Sequence, residues 1–476
     1  MNPKSYRKNS LAFSACEQGG RRPSQDAGQR NHFQRNLRKV QSLYIADYPA
    51  GNFWFFSSGL VLLVAVIFLL CATPAARGAG FALVNQGTAG MAQGNAFVAE
   101  ADDPSAIFYN PAGLNQMQRA QFYTSGFLYD PDREFHGGGL SSETRQQILG
   151  TLSAYFVLPV NPRLSLGIGY FSPFGLGSQW PSTWPGRYLS TYSSLQTYNL
   201  NPVASVKLLD NLSLAAGFEV MWSGVEINRN TPVVVRGYHF PDGQVILTGN
   251  GNGWGYNLGV LYEPMAGVKL GASYRSEITV KYFGSLDLTL PPPLSGSVPS
   301  QVSGSAPLTF PPSVTWGIAY GCLKPFTFEF DTTWTGWSTY DQLQVKLDSP
   351  IPVNGVSTTV ITTPEKWHDA WAFRFGVNYE IIKGLKLRAG YIYDLTPVPD
   401  DTFDPQVPDA NRHIFTVGGD LEYKRVTLGI AYNYILQESR NKDNAITFNG
   451  VPAPLQADGR YNSDTQSLAL SLAFHF

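Results

Sequence analysis

From residue 119 onward, apolar and polar positions alternate with a period of two. In "LKLRAGYIYD" (385–394) the Leu, Ala and Tyr residues share one face, opposite Lys386 and Arg388. In "AWAFRFGVNYE" (370–380) the aromatic residues oppose Arg374 and Asn378. Strands of about ten residues with one apolar and one polar face are typical of transmembrane β-barrels. A soluble β-sandwich also alternates, so this pattern predicts strands without choosing between the two folds.

The lengths of the connections favour a barrel. Short turn signals lie at 161–163, 210–211, 264–267, 323–325, 383–384 and 424–425. Long polar or Pro-rich segments lie between them, at 131–148, 173–196, 229–252, 290–312, 348–368, 396–412 and 437–463. Strict alternation of long and short connections is typical of outer-membrane barrels. The chain from 119 to 476 is therefore predicted to be a 14-stranded antiparallel transmembrane β-barrel, with both ends on the short-turn side.

Composition supports contact with lipid. Asp, Glu, Lys and Arg make up 14% of the 476 residues, where about 25% is usual in soluble proteins. Aromatic residues reach 13% and the chain has 47 Gly, a mixture suited to strands, turns and membrane interfaces. The final segment "SLALSLAFHF" alternates up to Phe476 and resembles a terminal signal for the outer-membrane assembly machinery.

The N-terminus predicts export. Residues 53–72 carry no charge, follow a basic stretch and precede small residues, as in a signal peptide cleaved after Gly78. The run is also long enough to be a permanent anchor, which is the alternative. The predicted divisions are a basic extension (1–52), a signal segment (53–78), a lumenal hatch (79–118) and the barrel (119–476). The predicted location is the outer membrane of a Gram-negative bacterium.

Charge and chemistry exclude several classes of function. Residues 79–476 hold 24 Lys or Arg and 32 Asp or Glu, a net charge of −8, so nucleic acid is not an expected partner. The six His residues are scattered without metal-ligand spacing, and no G-x-S-x-G motif occurs. The sequence therefore predicts no catalytic residue, no metal and no cofactor. An outer-membrane lipase remains the enzyme alternative, because that motif is not required of a barrel phospholipase.

A barrel of this size needs a plug. About fourteen strands enclose a lumen too wide for the wall's own side chains to fill. Residues 79–118 offer short helices that begin near Asp102, Asp103 or Ser105 and end at Pro111–Gly113. We predict that this segment is a hatch inside the lumen. The residues expected to define the hatch are Gly80, Phe81, Asn110, Pro111, Ala112 and Gly113.

The chain resembles the FadL family of outer-membrane transporters for long-chain fatty acids and other hydrophobic compounds, which includes the TodX-like aromatic-hydrocarbon branch. The segments that carry the resemblance are "AGF" (79–81), "DDPSAIFYNPAGL" (102–114), "WPGRY" (184–188), "GWGYNLGVLYE" (253–263), "YRSE" (274–277), "GWSTYDQL" (336–343), "PVPD" (397–400) and "PDANRH" (408–413). It implies a monomeric 14-stranded barrel with a hatch, embedded among outer-membrane lipid and lipopolysaccharide. It also implies capture of ligand by apolar extracellular loops, with candidates at 231–249 and 290–312, and lateral release through the wall.

The third predicted strand, "RLSLGIGYFSPFGLG" (163–177), is the candidate for the lateral gap. Pro173 cannot donate to the strand ladder and Gly175 weakens it, so a kink at Ser172, Pro173, Phe174 and Gly175 would open the wall. Alternatively, the strand ends at Tyr170 and Pro173 begins a loop. The residues alone leave these readings nearly equal, and the resemblance favours the kink.

Ligand contacts are the least specified feature. Arg187 lies among Trp180, Trp184 and Tyr188 and is a candidate to bind a carboxylate headgroup. Alternatively, it is a loop arginine that stacks on a tryptophan ring. Lumenal charges are expected to pair with one another and with the hatch, and they include Arg275, Glu277, Arg374, Arg388 and Asp394. The alternatives to a fatty-acid transporter are an aromatic-hydrocarbon channel and a hydrophilic solute porin.

Overall fold

The computed structural model describes residues 80–296, 298–353, 356–453 and 455–476. The predicted basic extension (1–52) and signal segment (53–78) lie outside these residues, so both stay predictions. No helix in the described ranges is long and apolar enough to cross a membrane.

The wall is a closed sheet of antiparallel strands, of which the described residues contain fourteen. The uninterrupted strands are β1 (Gln121–Gly137), β2 (Leu149–Asn161), β4 (Tyr192–Leu209), β5 (Leu212–Val235), β6 (Tyr238–Met265), β11 (Leu385–Asp394), β12 (Arg412–Tyr423), β13 (Val426–Gln437) and β14 (Gly459–His475). The interrupted strands are β3 (Leu164–Phe171 and Gly175–Gln179), β7 (Val268–Arg275 and Ile278–Thr289), β8 (Gln301–Phe310 and Ser313–Tyr320), β9 (Phe326–Thr335 and Gln342–Val353) and β10 (Val356–Pro364 and Ala370–Ile382). β1 pairs with β14 from Gln121↔His475 to His136↔Arg460, which closes the sheet and removes its edges. The predicted fold class is confirmed.

Tight turns join the strands at the periplasmic end. They occupy 162–163, 210–211, 266–267, 321–325, 383–384 and 424–425, the places where the sequence predicts short turns. Gly267 and Gly384 adopt φ values of +82° and +88°, which an L side chain rarely tolerates. These short connections therefore follow directly from local sequence.

The extracellular connections differ from the sequence expectation. The segment 229–252 is predicted to be a long loop, but β5 and β6 continue through it and turn only at Arg236–Gly237. Pro232, which suggests a loop, lies at a register shift between Thr231 and Val233 and therefore interrupts the ladder without ending it. The other extracellular loops contain short strands, at Leu140–Glu143, Arg440–Lys442, Thr447–Phe448 and Val451–Pro452. The extracellular half of the barrel is thus mostly extended wall.

The two faces of the wall separate as the alternation predicts. On β11, the Leu387 side chain is 48% exposed on the outer face, whereas Arg388 beside it is 4% exposed in the lumen. On β10, Arg374 and Asn378 are likewise buried inside. A lipid-facing apolar surface and a polar interior are what strands that cross a membrane as a barrel require.

Two of the five strand breaks place aromatic side chains in the lumen. The break in β9 contains a 3-10 turn, Trp337–Thr339, and the break in β10 covers 365–369. Both breaks carry aromatic residues inward, and Trp337 and Trp367 are 0% and 3% exposed. Interruptions of this kind re-aim side chains at the cost of local ladder pairing.

The hatch fills the lumen ahead of β1. It contains two short helices, α1 (Thr88–Ala92) and α2 (Ala106–Tyr109), and a 3-10 turn, Pro111–Gln116. The Asn110 side chain accepts from the N–H of Ala112 at 3.1 Å and donates to the carbonyls of Val98 and Val260, so it caps the 3-10 turn and ties it to the wall. The structure places the predicted hatch residues Pro111, Ala112 and Gly113 in this buried turn.

Candidate functional site

Two carboxylates on β9 hold the middle of the hatch. Asp331 Oδ2 accepts from the backbone N–H groups of Phe97 (2.8 Å) and Val98 (3.0 Å). Glu329 accepts from the N–H groups of Ala99 (2.7 Å) and Glu100 (2.9 Å). All of these residues are buried. Four consecutive backbone N–H groups of the hatch therefore donate to the carboxyl oxygens of two wall side chains.

A second set of polar contacts joins the hatch to β11. Arg388 pairs with Asp420 at 2.8 Å and with Glu100 of the hatch at 3.4 Å. Lys386 pairs with Asp102 of the hatch at 3.2 Å. Burial opposes ionisation of Asp102, but the charges of Lys386, Arg388 and Lys269 outweigh it and lower the Asp102 pKa to about 2. Because the pKa lies below its unfolded value, this ion pair is present at neutral pH and is lost only in strong acid.

The N-terminal arm of the hatch, defined as Gly80–Leu83, pairs with the break in β3. Leu83 N–H donates to Pro173 O at 2.8 Å, and Gly175 N–H donates to Phe81 O at 3.0 Å. Ala82 and Phe174 form an antiparallel bridge between these bonds. The arm therefore occupies the edge of β3 where a neighbouring wall strand would normally pair.

The wall beside the arm is open between β2 and β3. The ladder between these strands ends at Ala154↔Tyr170, and above this pair residues 149–153 of β2 pair only with β1. Thr197 of β4 bridges the break in β3, because its hydroxyl donates to Phe174 O (2.6 Å) and accepts from Phe174 N (3.0 Å). β3 is thus interrupted at 172–174 and resumes at Gly175, and a lateral gap at these residues stays a prediction.

Phe81 inserts its ring into an aromatic cage. Its ring centroid lies 4.6 Å from Trp337, 5.4 Å from Trp367 and 5.9 Å from Tyr340. Phe174 and Phe310 complete the cage at 6.2 Å and 6.1 Å. The mostly edge-to-face arrangement is favourable for aromatic rings and adds to the burial of apolar surface.

Gly80 places Phe81 in the cage. Its φ is +54°, and a Cβ added to Gly80 would lie 2.7 Å from the Trp337 ring. Its N–H donates to Asp409 at 3.1 Å and its carbonyl accepts from Arg412 at 3.0 Å. Only glycine fits this position without strain or collision.

Replacing Phe81 by alanine should release the arm while the rest of the hatch stays docked. Truncating a buried Phe typically costs about 3–5 kcal/mol, whereas the arm's hydrogen bonds to the break in β3, Asp409 and Arg412 contribute roughly 0.5–1.5 kcal/mol each. We expect hydrogen exchange at the Leu83 amide to accelerate at least tenfold, roughly a 1.4 kcal/mol loss. The amides of 97–100 should keep their protection, and Phe283→Ala on the outer face is the matched control. Unchanged exchange at Leu83 would show that the cage does not hold the arm.

Three cavities meet at the arm. The outer cavity, about 90 Å³, is lined largely by aliphatic side chains on the extracellular half of the wall, with Phe81 at its base. The lumen cavity, about 120 Å³, is bordered by Ala82, Leu83 and Phe174. The wall cavity, about 530 Å³, includes Leu152 and Tyr170. Both of these side chains are also exposed on the outer face of the barrel, so this cavity reaches the lipid side of the wall.

The predicted ligand contacts lie away from these cavities. Trp180 and Trp184 stack at 4.3 Å and are buried in the extracellular loop after β3. The Arg187 guanidinium pairs with Asp242 at 2.6 Å and donates to Tyr188 Oη at 3.0 Å. A carboxylate ligand would have to compete with Asp242, and the role of these four residues in binding stays a prediction.

Most of the predicted lumenal charges lie in the lumen. Arg275 forms an ion pair with Glu219 and donates to the carbonyls of Ile107 and Phe108. Arg374 and Asp394 line the lumen cavity, as does Arg275, and Arg388 binds the hatch. Glu277 departs from the prediction. It is exposed and does not line the cavities, because β7 is interrupted immediately after Arg275.

Sequence reasoning missed the residues that position the arm. Trp337 and Tyr340 belong to "GWSTYDQL", a segment that carries the family resemblance, but nothing in it shows that it bulges inward. Glu329 and Asp331 in "FTFEFDTTW" (326–334) carry a usable signal, since two acidic residues occupy the inward positions of a strand. The described residues contain no group of three or more His, Cys, Asp or Glu that could hold a metal ion.

A closed fourteen-stranded barrel with an apolar outer face, a hatch docked in its lumen and cavities around the hatch defines a plugged outer-membrane transport barrel. Comparison with known proteins specifies the class. Residues 69–476 match the family model of outer membrane protein transport proteins (OMPP1/FadL/TodX). The chain belongs to this family and is an outer-membrane transport protein of a Gram-negative bacterium, not an enzyme.

Relatives and solved structures agree. A long-chain fatty acid transport protein of Escherichia coli O6:H1 is 27% identical over 403 residues, covering 76% of this chain and 87% of the relative. Outer membrane protein P1 of Haemophilus influenzae is 22% identical over 415 residues, covering 76% and 88%. The crystal structure of a Pseudomonas aeruginosa FadL homologue superposes with a TM-score of 0.73 at 22% identity, covering 84% of this chain and all of that one. The Pseudomonas putida toluene transporter TodX superposes with a TM-score of 0.65 at 17% identity, covering 83% and 99%. The structural likenesses bear on the fold.

Proposed function

We propose that the protein carries long-chain fatty acids or similar hydrophobic compounds across the outer membrane and releases them sideways through its wall. The observation that supports this most directly is the arm, which separates the outer cavity from the wall cavity. A ligand that displaces Phe81 from its cage frees the edge of β3 at the same moment, because Phe81 O is the acceptor for Gly175 N–H. Ligand entry and opening of the wall are thereby coupled.

Capture takes place in the outer cavity. Leu247, Leu286, Val345 and neighbouring aliphatic residues line it, and no charged side chain does. Such a surface on the extracellular side gains free energy by covering apolar ligand atoms, at about 25 cal/mol per Å² removed from water. A hydrophilic solute gains nothing there, and the docked hatch obstructs its passage, which disfavours the porin alternative.

Release takes place between β2 and β3. The wall cavity joins the lumen to the exposed side chains of Leu152 and Tyr170. A hydrophobic ligand can therefore pass into the membrane without moving past the part of the hatch that faces the periplasm. Along this route Leu149, Leu152, Leu176 and Tyr170 offer apolar contacts, beside the charged side chains that also line the wall cavity. The proposal needs no oligomer, and we retain a monomer, surrounded by lipopolysaccharide and inserted by the outer-membrane assembly machinery, as its working state.

Aromatic hydrocarbons are the second candidate substrate. The cage that holds the Phe81 ring offers edge-to-face contacts that suit a planar ring, and its walls are Trp, Tyr and Phe. One of the structural neighbours is described as a toluene transporter. Both substrate classes would take the same route through the protein, but only a fatty acid requires a group that binds its carboxylate.

Equilibrium binding separates these candidates. Radiolabelled oleate, toluene and hexadecane are each titrated onto the purified, detergent-folded protein, and unlabelled toluene and hexadecane also serve as competitors of oleate. Saturable oleate binding that resists toluene indicates a fatty-acid transporter, whereas displacement by toluene indicates a hydrocarbon channel. Absence of saturable binding for all three compounds would refute the proposed function.

A further inference from the structure

The upper rim of the opening between β2 and β3 is formed by an arginine. Arg133 lies on β1, and its Nη1 donates to Gly177 O of β3 at 2.8 Å. Close by, Arg145 N–H donates to Gln179 O at 2.8 Å, and these contacts close the seam above the wall cavity. The lower rim is the last ladder pair, Ala154↔Tyr170. The opening therefore has a guanidinium at its extracellular end and apolar residues below it.

Arg133 forms no direct ion pair with a carboxylate of the described residues, and Asp409 acts on its charge only from a longer distance. No carboxylate of the described residues lies within 4.0 Å of its nitrogens. The other Asp, Glu, Lys or Arg side chains lining the wall cavity are Asp394, Asp409 and Arg412, and Arg412 pairs with Asp409 at 2.5 Å. A half-buried guanidinium that keeps most of its donors unpaired is suited to a carboxylate, which accepts two parallel hydrogen bonds.

The surroundings of Arg133 are suited to an alkyl chain. The side chains of Leu149, Leu152, Leu176 and Tyr170 line the wall cavity beneath the guanidinium. Leu152 is 66% exposed towards the lipid side. A carboxylate held at Arg133 would thus have its tail directed along this surface to the membrane interior.

We propose that Arg133 is a headgroup subsite at the wall opening, which binds the carboxylate of an amphiphilic monocarboxylate as its tail leaves through the gap between β2 and β3. This inference rests on the proposed function and narrows its substrate class to fatty acids. The ligand leaves with its headgroup at the extracellular end of the opening and its tail towards the bilayer midplane. That is also the orientation of an amphiphile in the outer leaflet, so the ligand need not turn over on release.

The test compares a charged ligand with its uncharged counterpart. Initial rates of oleate, oleyl alcohol and toluene uptake are measured in Gram-negative cells that lack their own transporter and carry the wild type, Arg133→Gln, Arg133→Lys or Arg145→Gln. Arg133→Gln should lower oleate uptake roughly tenfold, the equivalent of one charge-assisted hydrogen bond. Uptake of oleyl alcohol and toluene should not change. Arg133→Lys should restore part of the oleate rate, and exposed Arg145, which does not line the wall cavity, should be replaceable without effect.

The outcomes separate the subsite from the proposed function. Equal loss of all three ligands in Arg133→Gln, or no loss of oleate, would overturn the subsite while leaving transport intact. Wild-type uptake of toluene without oleate would overturn the subsite and favour the hydrocarbon channel. Wild-type uptake of none of the ligands would overturn the proposed function itself. The heat-dependent shift in electrophoretic mobility of a folded barrel confirms that each variant has assembled.

Discussion

Replacing Glu329 and Asp331 together by alanine should make the barrel leak small hydrophilic solutes. The two carboxylates accept the four N–H groups of 97–100, and alanine leaves all four buried donors without an acceptor. Each unpaired buried donor costs about 1–3 kcal/mol, so the sum exceeds what the neighbouring contacts of this segment can offset. Planar-bilayer recordings should show conductance approaching that of a variant lacking residues 79–118, which sets the upper limit.

A matched control tests whether the effect belongs to this pair of residues. Glu277 and Glu380 are exposed acidic residues on the same barrel, and their double alanine variant also removes two acidic side chains, but at positions away from the hatch. Its conductance should equal that of the wild type. If the Glu329/Asp331 variant is folded and its conductance equals that of the wild type, the two carboxylates do not hold the hatch.

Restoring a regular β3 should abolish uptake without preventing folding. In Pro173→Val with Gly175→Val, the strand gains a backbone donor at 173 and two β-branched residues, so pairing with β2 becomes favourable above Ala154↔Tyr170. The new side chain at 175 also meets Leu83, since a Cβ there would lie 2.7 Å from Leu83 Cδ1. We expect oleate uptake to fall to the level of cells without the transporter.

The neighbouring strand provides the control for this experiment. Pro159→Val with Gly150→Val makes the same chemical changes on β2. A Cβ at Gly150 finds only ordinary contacts, the nearest at 3.7 Å. Uptake by this variant should match the wild type. Binding of oleate to the β3 variant separates capture from release, because it should persist when uptake is lost. Undiminished uptake through a sealed β3 would place the exit elsewhere.

The sequence determined the architecture of this protein. A period of two specifies which side chains face lipid, and turn residues at six places specify where the strands reverse, so strand number and closure follow from local information. At 172–174 the residues alone left a kink and a strand end open, because Pro173 cannot donate to a ladder in either case. The predicted hatch required one further physical argument, that a lumen this wide must be filled.

The tertiary structure alone decided which residues meet inside the lumen. Phe97 and Asp331 are separated by 234 positions, and Gly80 and Asp409 by 329. Periodicity assigns a side chain to the inner face but carries no information on what stands opposite it across a closed barrel. The inward bulges that bring Trp337 and Trp367 to Phe81 depend on pairing between strands distant from the arm. The cage, the two carboxylates that hold the hatch and the arginine at the wall opening are therefore products of strand register and closure, which form only when the whole sheet does.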